Sequence, residues 1–215
     1  VSRPEGPIRI TRLDLLVVAY ATWIGGCAAT APVNAPNGDS PCDPASERAA
    51  AESYRDSLRQ RAAQLRDHRV GADDGADDEL IHTLYLLATR GDADAMREAS
   101  AMLETRSTAG RVNSRYMAYA GSIALLRAAE EPALPEKARL SKQGLTLLNE
   151  AVRSSPDDAC VLALRGVTYV NLPTIFGRRA QAVADLSTFA QIARSAVDNG
   201  SVPTGLAAAA LVAHG

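Results

Sequence analysis

A chain of 215 residues with 47% hydrophobic and 22% charged side chains can build one packed core, or at most two, and wholesale disorder is excluded. Aromatic residues make up only 4% and much of the apolar content is alanine, which favours closely packed helices over a β-sandwich built on Val, Ile, Tyr and Phe. A formal charge of −2 gives no long-range pull toward nucleic acid or anionic lipid, so no nucleic-acid partner is expected. Of the 23 basic residues only Lys137 and Lys142 are lysines, a bias that reads as GC-rich coding rather than arginine-specific recognition.

Along the chain, Arg3, Arg9 and Arg12 precede "LDLLVVAYATWIGG", fourteen mostly apolar residues. As helix this run reaches about 21 Å, short of a ~30 Å hydrocarbon core, so it suits a secretory signal better than a stable span. The other reading is an amphipathic first helix whose cysteine follows a glycine pair. The motif Ile24-Gly25-Gly26-Cys27 resembles the lipobox of bacterial lipoproteins. Asp14, Thr22 and Trp23 make the apolar run less greasy than that family's usual one. The resemblance implies that Cys27 is acylated, with chains such as palmitate, and becomes the first residue of the mature protein. It implies a membrane partner and a place in the bacterial cell envelope. With Ala28 following the cysteine, a Gram-negative cell would send it to the periplasmic face of the outer membrane. Two or more acyl chains attach a protein stably without any transmembrane helix.

From Ala28 to Pro44 the chain reads "AATAPVNAPNGDSPCDP". Its prolines and small polar residues cannot form a core, and semi-extended it would reach about 50 Å. The expected organisation is therefore a signal peptide over 1–26, a lipidated cysteine and tether over 27–44, and a helical domain over 45–215. With Cys27 acylated, Cys42 and Cys160 remain as an even pair in an oxidising compartment. Their disulfide would close a long loop and contribute ~2–4 kcal/mol; the alternative is two separate thiols, with Cys160 a small core residue. His68, His82 and His214 lie far apart without ligand spacing, so no metal and no other cofactor is expected.

Helical patterns then follow one another. After Ser46, Ala50, Tyr54, Leu58, Ala62 and Leu65 recur at three- or four-residue steps. The acidic "GADDGADDE" lacks the ladder of an EF-hand and reads as a solvated turn with Asp77 or Asp78 as N-cap. Helices are expected over 80–90, 93–105, 112–130, 136–154, 159–171, 180–197 and 204–213. The breaks are Gly91-Asp92, "EPALP", Ser155-Pro156-Asp157-Asp158, "LPTIFGRR" and "NGSVP". This is an all-α fold of antiparallel helical hairpins.

Within it, "LLNEAVRSSPDDACVLALRGVTYV" resembles the junction between two tetratricopeptide repeats. Gly144, Leu148, Ala151 and Pro156 fall in the second helix and turn of one repeat, Gly166 and Tyr169 in the first helix of the next, and Ala182 and Leu186 in its second. Arg165 stands where that family has an apolar residue before the glycine. The resemblance implies hairpins stacked as a short, irregular solenoid; the alternative is an ordinary bundle whose spacing imitates repeats. It also implies a protein or peptide partner in the groove lined by first helices, here Ala163, Leu164, Val167, Val170 and Asn171. Leu164 replaces the asparagine with which the family clamps a C-terminal carboxylate, so an apolar groove is expected.

No phosphate loop, nucleophile elbow or paired metal ligands appear, and the chain does not read as an enzyme. A cluster converging on His68, His82 or Glu98 would revive that possibility. The loop at Phe176, Arg178 and Arg179 offers an apolar group beside cations, either a lip for a partner or a plug for the hairpin end. Two functions follow: a lipid-anchored cell-envelope scaffold that binds protein, or the periplasmic ligand-binding accessory of a transporter.

Overall fold

The computed structural model describes residues 44–68, 74–110 and 112–214. The signal segment, Cys27 and Cys42 lie outside the described residues. Of the first 48 residues only the opening turn of α1 is described, and Ala49–Gly215 make one compact unit. Among the described residues the fold is all-α: α1 Pro44–Asp67, α2 Asp74–Ala88, α3 Ala93–Thr108, α4 Ser114–Glu130, α5 Leu134–Ser154, α6 Ala159–Val170, a 3-10 turn Thr174–Phe176, α7 Arg179–Asp198 and α8 Thr204–His214. None of these helices is long and apolar enough to cross a membrane.

The boundaries follow local chemistry. Asp92 accepts a hydrogen bond from the Ala95 amide at 3.1 Å and Asn113 one from the Tyr116 amide at 2.9 Å, so each satisfies an orphan donor at a helix start. Asp158 does the same for Cys160 and Val161 at the head of α6. Pro135 sits in the first turn of α5, where its missing N–H has no cost. The acidic stretch is not the capping turn expected from the sequence: α2 begins at Asp74, which puts Asp77 and Asp78 inside the helix near its start. There Asp77 accepts from Arg106 at 2.7 Å and Asp78 from the Tyr116 hydroxyl, while Arg106 also donates to Tyr116 at 2.5 Å. Carboxylates near a helix start suit its dipole, and a buried arginine from α3 and a tyrosine from α4 give them partners.

Three hairpins, α2/α3, α4/α5 and α6/α7, each pack most closely within themselves, and α8 lies on both α6 and α7. The first helices α2, α4 and α6 also touch in sequence, and α8 continues the row. From Leu80 to Ala88 every side chain of α2 is buried, so this helix is core on all sides.

The pairing of α4 with α5 depends on two glycines. A Cβ on Gly144 would lie 2.7 Å from the Gly121 carbonyl oxygen and from Leu125, and one on Gly121 would lie 2.8 Å from the Gly144 oxygen. At Gly166 a Cβ would meet Leu186 of α7 at 2.7 Å. Backbone cannot step aside as a flexible side chain can. Gly144→Ala is therefore expected to destabilise the fold by about 1–3 kcal/mol. Gly205→Ala, whose new Cβ would meet its nearest neighbour at 3.5 Å, should leave stability unchanged or raised. Equal urea midpoints for Gly144→Ala and wild type would refute the close crossing.

Helix α1 is held differently. Only Leu58, Ala62 and Leu65 of the expected stripe are buried, whereas Ala50 and Tyr54 are exposed. Ion pairs do much of the rest: Arg59 to Asp92 at 3.1 Å, Arg61 to Glu79 at 2.5 Å and Arg66 to Glu98 at 2.6 Å. Arg90 also stacks 4.6 Å over the Tyr54 ring. Half-exposed pairs of this kind contribute about 0–1 kcal/mol each and are screened by salt. Raising NaCl to about 1 M, where the Debye length is near 3 Å, should speed amide exchange in α1 several-fold and leave α4 and α6 unchanged. Identical protection of α1 at both salt levels would contradict this.

Candidate functional site

The outer face of α5 carries an open groove of about 590 Å³. Leu134, Ala138 and Leu145 supply its apolar positions, Lys137 and Lys142 its charge on the helix, and Ser141, Thr146 and Asn149 its hydrogen-bonding groups. These positions recur at steps of three and four, so they form one stripe along the helix, about 22 Å long. The neighbouring stripe, Leu140, Gly144, Leu148 and Ala151, faces the core. Helix α5 is therefore partnered on one side and open on the other.

Phe176 and Arg178 form the wall across from α5. Gly177, at φ +61°, closes the 3-10 turn and lets the chain swing from Phe176 into Arg178. The wall is tied to the floor through Tyr169, which donates to the Asn149 side chain at 3.0 Å and lies 5.9 Å beneath the Arg178 guanidinium. Arg178 donates to Gln181 at 3.1 Å, while its Nε–H is buried without a protein partner. Among the described residues no carboxylate lines the groove. The two acids of α5, Glu136 and Glu150, are engaged by Arg139 and Arg153, which leaves both lysines without an ion pair among the described residues. In a chain of net charge −2, this face carries three cations.

The residues expected from the sequence are divided. Phe176 and Arg178 meet at the groove, and Arg179 is exposed at the start of α7. Ile175, next to Phe176 in this loop, is 89% exposed. The first-helix face is closed: Ala163 and Leu164 are fully buried, Val167 is buried and Val170 half-buried. Asn171 is exposed, and its amide donates to the Val167 carbonyl at 2.8 Å, finishing α6. The expected groove of Ala163, Leu164 and Val167 is thus interior packing, because α6 is flanked by α4, α5, α7 and α8.

A second convergence lies inside. His82 Nδ1 is 3.0 Å from the Tyr119 hydroxyl, which is 3.9 Å from Cys160 Sγ; Tyr85 meets the Tyr119 ring edge-on at 5.5 Å. Beside them Ser122 and Thr168 share a hydrogen bond at 2.8 Å. These groups come from α2, α4 and α6, the three first helices. Burial lowers His82 to about 4, pushes Tyr85 and Cys160 up to about 12, and raises Tyr119 well above its ordinary value. All four are held uncharged at neutral pH, and a protonated thiol is a poor nucleophile. Their arrangement joins three helices through polar contacts. Cys160 is a free thiol here; Cys42, its expected disulfide partner, lies outside the described residues. His68 bonds the Gln64 carbonyl at 2.7 Å and Glu98 is held by Arg66, so neither joins this cluster.

The lysine stripe was the part that sequence reasoning missed. In the sequence Lys137 and Lys142 stand out only as the chain's two lysines, although their spacing from Leu134, Ala138 and Leu145 puts them on one helical face. No protein-family model, curated protein or solved structure matches the chain.

Proposed function

We propose that this chain is a lipid-anchored cell-envelope scaffold whose helical body binds a protein or peptide partner. The observation that carries the binding role is the open groove on α5, lined by no carboxylate among the described residues and bounded by the helix and by Phe176 and Arg178. The anchoring role rests on the lipobox-like residues ending at Cys27 and the proline-rich tether after them. The likeness to tetratricopeptide repeats is supported by Gly121, Gly144 and Gly166, since each stands where one helix of a hairpin approaches its mate too closely for a side chain. In that reading the partner surface sits on a second helix, not on the first-helix face. A ligand-binding accessory of a transporter would want its small molecule enclosed, and the groove is open to solvent.

Two measurements test the proposal. Mass spectrometry of the mature amino terminus in a bacterial host should find an acylated Cys27, with modification and cleavage both lost in Cys27→Ser. A photo-crosslinking residue placed at Ala138 should capture a protein in cells, whereas one at the buried Leu164 should not. An unmodified terminus that retains residues before Cys27 refutes the anchor. Capture at neither position refutes the scaffold.

A further inference from the structure

The groove also indicates the chemistry of its occupant, given the reading above that the body is a partner-binding module. Its charge is one-sided: Lys137, Lys142 and Arg178 line it and, among the described residues, no acid does. Large apolar groups stay exposed at its edge: Leu134 is 77% exposed at one end, and Ile175, next to Phe176 in the chain though not itself lining the groove, is 89% exposed. Exposed large apolar side chains flanking unpaired cations suit a ligand that brings both carboxylates and hydrophobic groups. Ser141, Thr146 and Asn149 add hydrogen-bonding groups at regular helical intervals, which match the repeating spacing of a polypeptide.

We propose that this face of α5 docks an acidic amphipathic segment of a partner protein, with its carboxylates toward Lys137, Lys142 and Arg178 and its apolar side chains toward Leu134, Leu145 and Phe176. An anionic membrane fits less well. Three cations are few for a lipid surface, where each contributes about 1 kcal/mol, and they line a recess rather than a raised patch. The mode is that of a helix or strand laid along a groove, with charge fixing register and on-rate.

The test uses the full chain and three capped fluorescent peptides of equal length, built from leucine with glutamate, leucine with lysine, and serine with glutamate. Anisotropy at low salt should show binding of the leucine–glutamate peptide only. The double variant Lys137→Glu/Lys142→Glu should weaken that binding at least tenfold and gain affinity for the leucine–lysine peptide. Phe176→Ala should weaken it several-fold without altering the preference for acid. Lys137→Gln/Lys142→Gln, judged folded by circular dichroism, serves where charge reversal disturbs the helix. The proposal is overturned if the leucine–glutamate peptide does not bind, if the leucine–lysine peptide binds equally, or if the double variant binds as wild type does. Sedimentation with phosphatidylglycerol vesicles that depends on Lys137 and Lys142, without peptide binding, would overturn it in favour of lipid. Capture from Ala138 in cells together with indifference to peptide charge would remove the acidic occupant and keep the scaffold. No capture from Ala138 would remove both.

Discussion

Arg165→Leu should unfold the protein at a urea concentration well below wild type, with a loss of about 3–5 kcal/mol. Arg165 grips Asp185 of α7 through two hydrogen bonds of 2.6 Å, donates to Asn149 of α5 at 3.3 Å and lies 5.8 Å from the centre of the Tyr169 ring. Both partners are largely removed from water, the Asp185 side chain at 6% exposure and the Arg165 side chain at 14%. Leucine in place of the arginine would leave the carboxylate buried without a cation, and that desolvation is the source of the loss. The double variant Arg165→Leu/Asp185→Leu removes both charges and should recover most of the stability. For a body of this size the single variant should also melt roughly 10 °C lower or more. The interpretation fails if the single variant loses under about 1 kcal/mol, or if the double variant is worse than the single.

Acid should destabilise the fold through His82. Burial lowers its folded value to about 4, whereas an exposed histidine titrates near 6.5. Between these values the unfolded chain binds the proton and the folded chain does not. The histidine's contribution is thus complete above about pH 6.5, falls as pH drops toward 4, and levels off below that. The full difference is about 3 kcal/mol, most of it gone by about pH 4.5. Acid acts on the whole molecule, so the comparison must be with His82→Gln. Stability measured in urea from pH 7.5 to 4.5 should fall more steeply for wild type than for the variant. Parallel profiles would mean that His82 is not held neutral.

The hairpins were legible because their punctuation is local. Gly91-Asp92, Ser155 to Asp158 and Pro173 to Gly177 each announce a turn within a few residues, and the helix ends beside those turns fall within about three positions of the expected ones, whereas α2 starts at Asp74, well before the expected residue 80. Long-range pairing was not legible. Asp77 reads as a solvated acid until Arg106, twenty-nine residues on, is folded against it. Arg165 departs from the apolar residue of the repeat pattern, and only Asp185, twenty residues later, explains why a cation is tolerated there. The binding face was assigned to Leu164 by analogy with repeats, yet α6 is flanked on several sides and that residue is fully buried. At the groove, Phe176 and Arg178 were noticed because a lone aromatic beside cations in a loop is conspicuous. Lys137 and Lys142 were not, because on an amphipathic helix such residues read as solvent-facing until a wall from another part of the chain turns their side into a recess.

Both side-chain amines of the entire protein fall on this one face. Succinimidyl dyes, aldehyde fixatives and amine-coupled sensor chips would therefore attach across the groove itself. A protein immobilised in that way would present its back to solution, and attachment through a terminal tag would leave the surface free.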